Sequence, residues 1–253
     1  MTRITETDEY RRRLLLAMLG AGAATAVPAH GAQFSRLPAK LPPGQFIYRL
    51  FGDVRINGIA VSLKTTIQEN DVLTTGDKSF VIFVYEADAF ILRSNSEMVV
   101  RPSAAAEQES PAQVEGTAPR QPLPKIAGAY GLRRGKALSV MASRQTNIAT
   151  PSAVIRVRGT GVYVEAEPDE SYVCVCYGTT DIESAVAPDV RETVVSNQHD
   201  APKYVSGGSS PSITPAPFKN HDDQELLLIE TLVGRTTPYF VPAGAARTRS
   251  RYF

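Results

Sequence analysis

Two cysteines and three histidines are the residues of this chain best suited to hold a metal or move a proton. Cys174 and Cys176 lie in Ser171-Tyr172-Val173-Cys174-Val175-Cys176-Tyr177-Gly178, just after a Pro168-Asp169 turn. His199 sits in Asn197-Gln198-His199-Asp200 and His221 in Asn220-His221-Asp222-Asp223, while His30 is close to the N-terminus. Residues two apart on a strand point the same way. Cys174, Cys176 and Tyr172 therefore share one face, with Val173, Val175 and Tyr177 on the other. A disulfide between i and i+2 is poor geometry, because the Cα atoms stand near the upper limit for a bridge. Two parallel thiols are better placed as two ligands of one ion. With His199 and His221 they make a Cys2His2 set that suits one zinc ion or, through soft thiolates, copper(I) or iron. Each histidine is followed by an aspartate, Asp200 or Asp222, a candidate orienter of its ring. The spacings match no standard zinc motif. Two other readings stand beside the metal: a redox-active or disulfide-forming pair, and two small thiols packed in the core with two surface histidines.

Catalysis finds little support. His199 beside Asp200 has the makings of a general base, but no G-x-S-x-G or other nucleophile motif is present, and Ser152 after Pro151 reads as a turn residue. The expectation is a non-catalytic protein with no catalytic residues and no cofactor beyond that one ion.

The elements that must position these side chains read as short strands. Ile148–Glu167 is the organising stretch. After Thr150-Pro151-Ser152, Val154, Arg156 and Arg158 alternate with Ala153, Ile155 and Val157. Gly159-Thr160-Gly161 interrupts, and Val162–Ala166 resumes, so two strands joined at a glycine kink are expected. Upstream, Phe51–Gly58 ends in Asn-Gly, a strong hairpin signal. Val61–Ile67, Phe80–Tyr85, Phe90–Arg93, Glu97–Arg101 and Leu132–Met141 follow as further strands, the last with a basic turn at Arg133-Arg134-Gly135-Lys136. Arg93 is expected to reach backbone carbonyls or a nearby aspartate rather than a ligand. Glu192–Val195 is expected to form a hairpin with Val173–Gly178, and Pro202–Phe218 a loop. One helix is expected over about 221–233, with Asn220 as N-cap, Asp222, Asp223 and Glu225 in the first turn, and Gly234 as its stop. The leucine stripe of that helix is expected to pack on the β body. Runs of this kind predict an all-β fold of stacked short strands, solenoid-like or roll-like, with one C-terminal α-helix.

Composition limits the partners. The 253 residues carry 27 basic and 26 acidic side chains, so the positive footprint of a nucleic-acid binder is missing. Arg11-Arg12-Arg13, the stretch Leu14–Val27 and small residues near Ala29 and Gly31 make residues 1–31 a signal peptide. The arginines also fit a twin-arginine signal, so the export route stays open. Fourteen residues fall short of the ~20 that span a bilayer, and no transmembrane span is expected in the mature chain. Residues 102–125 are rich in proline and alanine and read as a disordered insertion within one β domain, 45–200. Residues 201–237 are a loop plus the helix, and 238–253, with Arg247, Arg249 and Arg251, a disordered tail.

The segment T-P-S-A-V-I-R-V-R-G-T at 150–160 resembles the signature of the FecR-domain family, periplasmic modules named after an iron-transport regulator. The order G-D-V-R-I-N-G, L-T-T-G-D-K-S, F-I-L-R-S-N-S within 52–96 is similar to the first half of such a domain, and the likeness covers roughly residues 48–166. It implies an all-β roll or short twisted solenoid, a periplasmic location and an envelope or outer-membrane protein partner. Signalling members of that family carry a cytoplasmic anti-sigma segment and a membrane helix before this module. Here roughly ten residues precede the hydrophobic run, so the expectation is an exported sensing, binding or scaffold module without that segment.

Overall fold

The computed structural model describes residues 38–101, 123–124, 126, 129–142 and 146–239. The expected signal segment, nearly all of the expected insertion at 102–125 and the tail beyond Tyr239 lie outside the described residues. What is described is all-β with one α-helix, as the strand pattern predicts. Among the described residues no helix is long and apolar enough to cross a membrane.

Sixteen strands form among the described residues. Eight of them, β1 (Ile47–Phe51), β5 (Phe80–Tyr85), β6 (Asp88–Leu92), β8 (Ala129–Val140), β11 (Gly161–Ala166), β12 (Glu170–Val175), β15 (Lys203–Ser206) and β16 (Ser212–Pro215), pair in that spatial order, every pair antiparallel. The second layer runs β3 (Ile59–Ala60), β2 (Val54–Ile56), β4 (Val72–Thr75), β7 (Glu97–Val99), β8, β9 (Thr146–Ala149), β10 (Ala153–Val157), β13 (Gly178–Ser184) and β14 (Arg191–Ser196). Only β8 and β9 run parallel among these pairs.

The long strand β8 belongs to both layers, and Gly135 is where it changes sides. Residues 129–134 pair with β7 and β9, and residues 135–140 with β6 and β11. Gly135 has φ +89°, and a Cβ there would fall 2.5 Å from Ser96 Cα. No L side chain fits that conformation and that contact together. The expected basic turn at Arg133–Lys136 is therefore a bend inside one strand.

The inward faces of both layers make one core. Val81, Phe83, Phe90, Leu92, Val164, Val173 and Val175 from the first layer meet Leu73, Met98, Leu132, Ile155, Val157 and Ile182 from the second. Burying a side chain of this size stabilises by about 1.5–3 kcal/mol. The first layer has a second buried face, because Ile82, Ile91, Leu138, Tyr163 and Cys174 are also inaccessible. That outer face lies under the helix, α1 (Asp223–Leu232), which packs on β6 and β8. The approach is close at Gly161, where a Cβ would stand 2.7 Å from Leu226 Cδ1.

Several expected details change. Asp222, not Asn220, caps α1: its Oδ1 accepts from the amides of Gln224 (3.0 Å) and Glu225 (2.9 Å), and Glu225 Oε2 accepts from Asp222 N (3.2 Å). This reciprocal pair satisfies helix-end donors that Asn220, two residues earlier, cannot reach. β14 pairs with β13, while β12 is flanked by β11 and β15. Within 202–218 the chain forms the β15–β16 hairpin, since Val205 has a place in the core and Ile213 packs against it. Arg93 has a glutamate as a partner. Its Nη2 lies 2.8 Å from Glu225 Oε2, with both side chains almost wholly buried, and its guanidinium is 5.4 Å from the Tyr163 ring centroid.

Candidate metal centre

The face shared by Cys174 and Tyr172 is the outer face of the first layer. Cys174 stands opposite Tyr163 of β11. β12 ends at Val175, and Cys176 continues as a connector. Its amide donates to Gly161 O (2.8 Å), and its carbonyl accepts the amide of His199 (3.1 Å). That last bond pulls the loop after β14 onto the end of β12. His199 sits in this loop with φ +53°, an uncommon conformation for a residue with a Cβ. Asp200 supports it by accepting from Asn197 N (3.2 Å). The left-handed backbone turns the imidazole inward.

His221 arrives from the other side, one residue before the cap of α1. Its approach is fixed by Glu165 on β11, which pairs with Lys219 Nζ at 2.8 Å and accepts from Tyr163 OH at 2.7 Å and from Asn220. The Tyr163 ring stacks on His221 at 4.4 Å, and Phe218 packs against both histidines at 4.8 and 5.0 Å.

These elements bring Cys174, His199 and His221 together, with one ligand atom from each lying within 4.8 Å of the others. His199 Nδ1 is 3.7 Å from Cys174 Sγ and 2.9 Å from His221 Nε2. The far nitrogens fix both tautomers. His221 Nδ1 meets the carbonyl of Lys219 at 2.8 Å, and a carbonyl only accepts, so this nitrogen carries hydrogen. His199 Nε2 meets the Asp223 carboxylate at 2.9 Å and carries hydrogen for the same reason. Two lone pairs then face each other and the sulfur. At 2.9 Å two bare nitrogens repel, so the pair requires one further cation between them, a proton or a metal ion.

The charge of the sulfur follows. The thiol of Cys174 is pulled down to about 4, first by a hydrogen bond from the Cys176 thiol, then by the two imidazoles, against the opposing effect of burial. Burial pushes the Cys176 thiol well up, and the neighbouring Cys174 sulfur adds to this. One thiolate and one thiol result. For His199, burial works against protonation, but the Cys174 sulfur and Asp223 outweigh it and raise the imidazole above its usual range.

Of the four sequence candidates, Cys176 reaches the cluster only through the Cys174 sulfur. Its sulfur is 3.9 Å from the Cys174 carbonyl and is not among the converging donors. Of the aspartates that follow the histidines, named as candidate ring orienters, Asp200 supports its own turn and Asp222 caps the helix. Asp223 takes that role toward His199 across the site, and Tyr239 OH lies 3.3 Å from the same nitrogen. Sequence spacing held no signal for either contact beyond an acidic residue near His221. Ser152 is buried and pairs with Ser171 at 2.6 Å. A second, open groove on β13 and β14 is lined by Arg156, Asp181, Glu183 and Arg191. It holds no cysteine or histidine, and Arg156 is paired there with Glu183.

No family model matches the chain, and no curated protein matches it. Two crystal structures of a candidate anti-sigma factor from Parabacteroides distasonis ATCC 8503, at 1.65 and 2.50 Å resolution, are similar to it, with TM-scores of 0.42 and 0.41 and 14% and 15% identity. Each alignment covers 61% of this chain and 62% of the other, so the chain spans less than two thirds of the length of those structures.

Proposed function

We propose that this chain is an exported, non-catalytic envelope module whose β body carries one transition-metal centre made by Cys174, His199 and His221. The observation behind this reading is the pair of imidazoles whose outer nitrogens both donate to oxygen, leaving two lone pairs aimed at one point beside a thiolate. Hydrogen-bonded outer nitrogens fix the tautomer and raise the basicity of metal-ligating histidines. The sulfur, His199 and Asp223 also form a nucleophile–base–carboxylate series, but Cys174 and His221 are wholly inaccessible, and a nucleophile needs a path to its substrate. The periplasmic placement rests on the charged, apolar and small-residue order of residues 11–31 and on the FecR-like segments. Native mass spectrometry of the mature protein tests the metal. One equivalent that leaves with a chelator supports the reading, and a metal-free mass after exposure to zinc, copper and iron contradicts it.

A second role is supported by the same FecR-like segments: an envelope sensing or scaffold module that engages a protein partner. Affinity capture from envelope extracts tests it. One partner recovered by the wild type supports the role, and none recovered with or without metal counts against it.

A further inference from the structure

We propose that the centre is selective for copper(I), held in three-coordinate geometry by Cys174 Sγ, His199 Nδ1 and His221 Nε2. This rests on the metal-centre reading above and narrows it. The first argument is ligand number. The nearby polar groups are occupied elsewhere: the Asp223 carboxylate and Tyr239 OH both sit at Nε2, the far side of the His199 ring, and the Cys176 sulfur is directed at Cys174. Structural zinc sites are almost always four-coordinate, and catalytic ones keep a position open to water. Here Cys174 and His221 are inaccessible and the His199 side chain is 8% exposed. Tyr163 and Phe218 close the aromatic wall around the rings. Among the described residues neither zinc pattern is met.

The second argument is charge. A metal ion takes cysteine as thiolate and histidine as neutral imidazole, so the set of one cysteine and two histidines carries −1 when it binds one. A monovalent ion neutralises that set, whereas a divalent ion leaves net positive charge in a buried site, which is costly unless compensated. The carboxylate of Asp223 is 40% exposed, so solvent weakens the compensation it offers. The third argument is softness, since thiolate ligands favour copper(I). Geometry asks for one adjustment. With metal–nitrogen distances of about 2.0 Å, the imidazole nitrogens must open by roughly half an ångström from their 2.9 Å separation. The 3.7 Å sulfur–nitrogen distance already suits such an ion.

The test uses the mature protein stripped of metal, titrated anaerobically with copper(I) or with zinc against chromogenic chelators. X-ray absorption at the copper edge then reads the coordination number. The expected result is one copper(I) in a three-coordinate shell, retained against roughly a hundredfold excess of zinc, with zinc alone surrendered to a weak chelator. Cys176→Ser should keep the copper and Cys174→Ser should lose it. Zinc bound at one equivalent in a four-coordinate shell, or copper lost in Cys176→Ser, overturns the copper assignment and leaves the metal centre standing. Neither ion bound overturns both.

Discussion

Two buried polar clusters in this molecule are built from similar material and end differently. Asp88, 1% exposed at the start of β6, accepts from Ala142 N (3.0 Å), Arg101 Nη2 (3.0 Å) and Tyr130 OH (3.1 Å), and Arg101 also pairs with Glu86. The carboxylate of Asp88 meets three donors of the same chain, so its charge is answered without any further group. At Cys174 the count runs the other way. Three electron-pair donors converge, and the hydrogens on the imidazoles are already committed to Lys219 and Asp223. A buried carboxylate answered by donors of its own chain is scaffold, whereas facing lone pairs require a further cation, a proton or a metal ion.

The largest expected contrast comes from removing the central acceptor of each cluster. Cys174→Ser should abolish metal retention after dialysis, measured as the metal-to-protein ratio, while the unfolding midpoint of the stripped protein changes little beside it. Asp88→Ala should cost about 3–5 kcal/mol in urea unfolding, because Arg101, Tyr130 and an amide lose a buried partner. The loss should be the same with and without metal. A metal-dependent loss would blur the distinction between the two clusters.

Asp223→Asn sharpens it. The amide keeps the shape of the residue but no longer holds His199 with a charge. Metal affinity should fall about 10–100-fold in a chelator competition, with the fold intact by circular dichroism. An unchanged affinity would show that Asp223 has no part in orienting the ring.

The smallest expected effect lies in the support of His221. Burial works against ionisation of Glu165, but bonds from Lys219, Tyr163 and Asn220 outweigh it and hold the carboxyl below its ordinary value of 4.5. A folded value lowered in this way contributes stability above the unfolded value, and that stability is lost as pH falls through the folded one. Glu165→Gln should lower stability at neutral pH by about 1–2 kcal/mol. It should also flatten the decline of the wild type below pH 4.5, as read from denaturant midpoints across pH. An equally steep acid decline in the variant would remove Glu165 from this role.

Much of the frame around the site is legible in the sequence. The alternation of Val173, Cys174 and Val175 gives the correct split between core and outer face, and the leucines of 226–232 with Gly234 locate the helix. The site itself is only half legible. Residue chemistry nominates Cys174, His199 and His221, but convergence depends on features that spacing does not encode. The left-handed backbone of His199 is fixed by a bond to the Cys176 carbonyl, a contact between the end of β12 and a loop 23 residues on. Cys176 leaves the donor set because β12 stops one residue before it, which ends the alternation that would have aligned the two thiols. Asp223 is hidden for the same reason: its partner lies across the site, not beside it in sequence. The basic turn expected at Arg133–Lys136 is a bend inside β8, because Ser96 packs beneath Gly135, a contact that spacing does not encode.

The central claim is that three named atoms form one centre. X-ray absorption on protein loaded with a single equivalent of metal tests it most directly. The account predicts a first shell of one sulfur at about 2.3 Å and two imidazole nitrogens at about 2.0 Å. A shell with two sulfurs, a shell of oxygens alone, or a protein that retains no ion contradicts it.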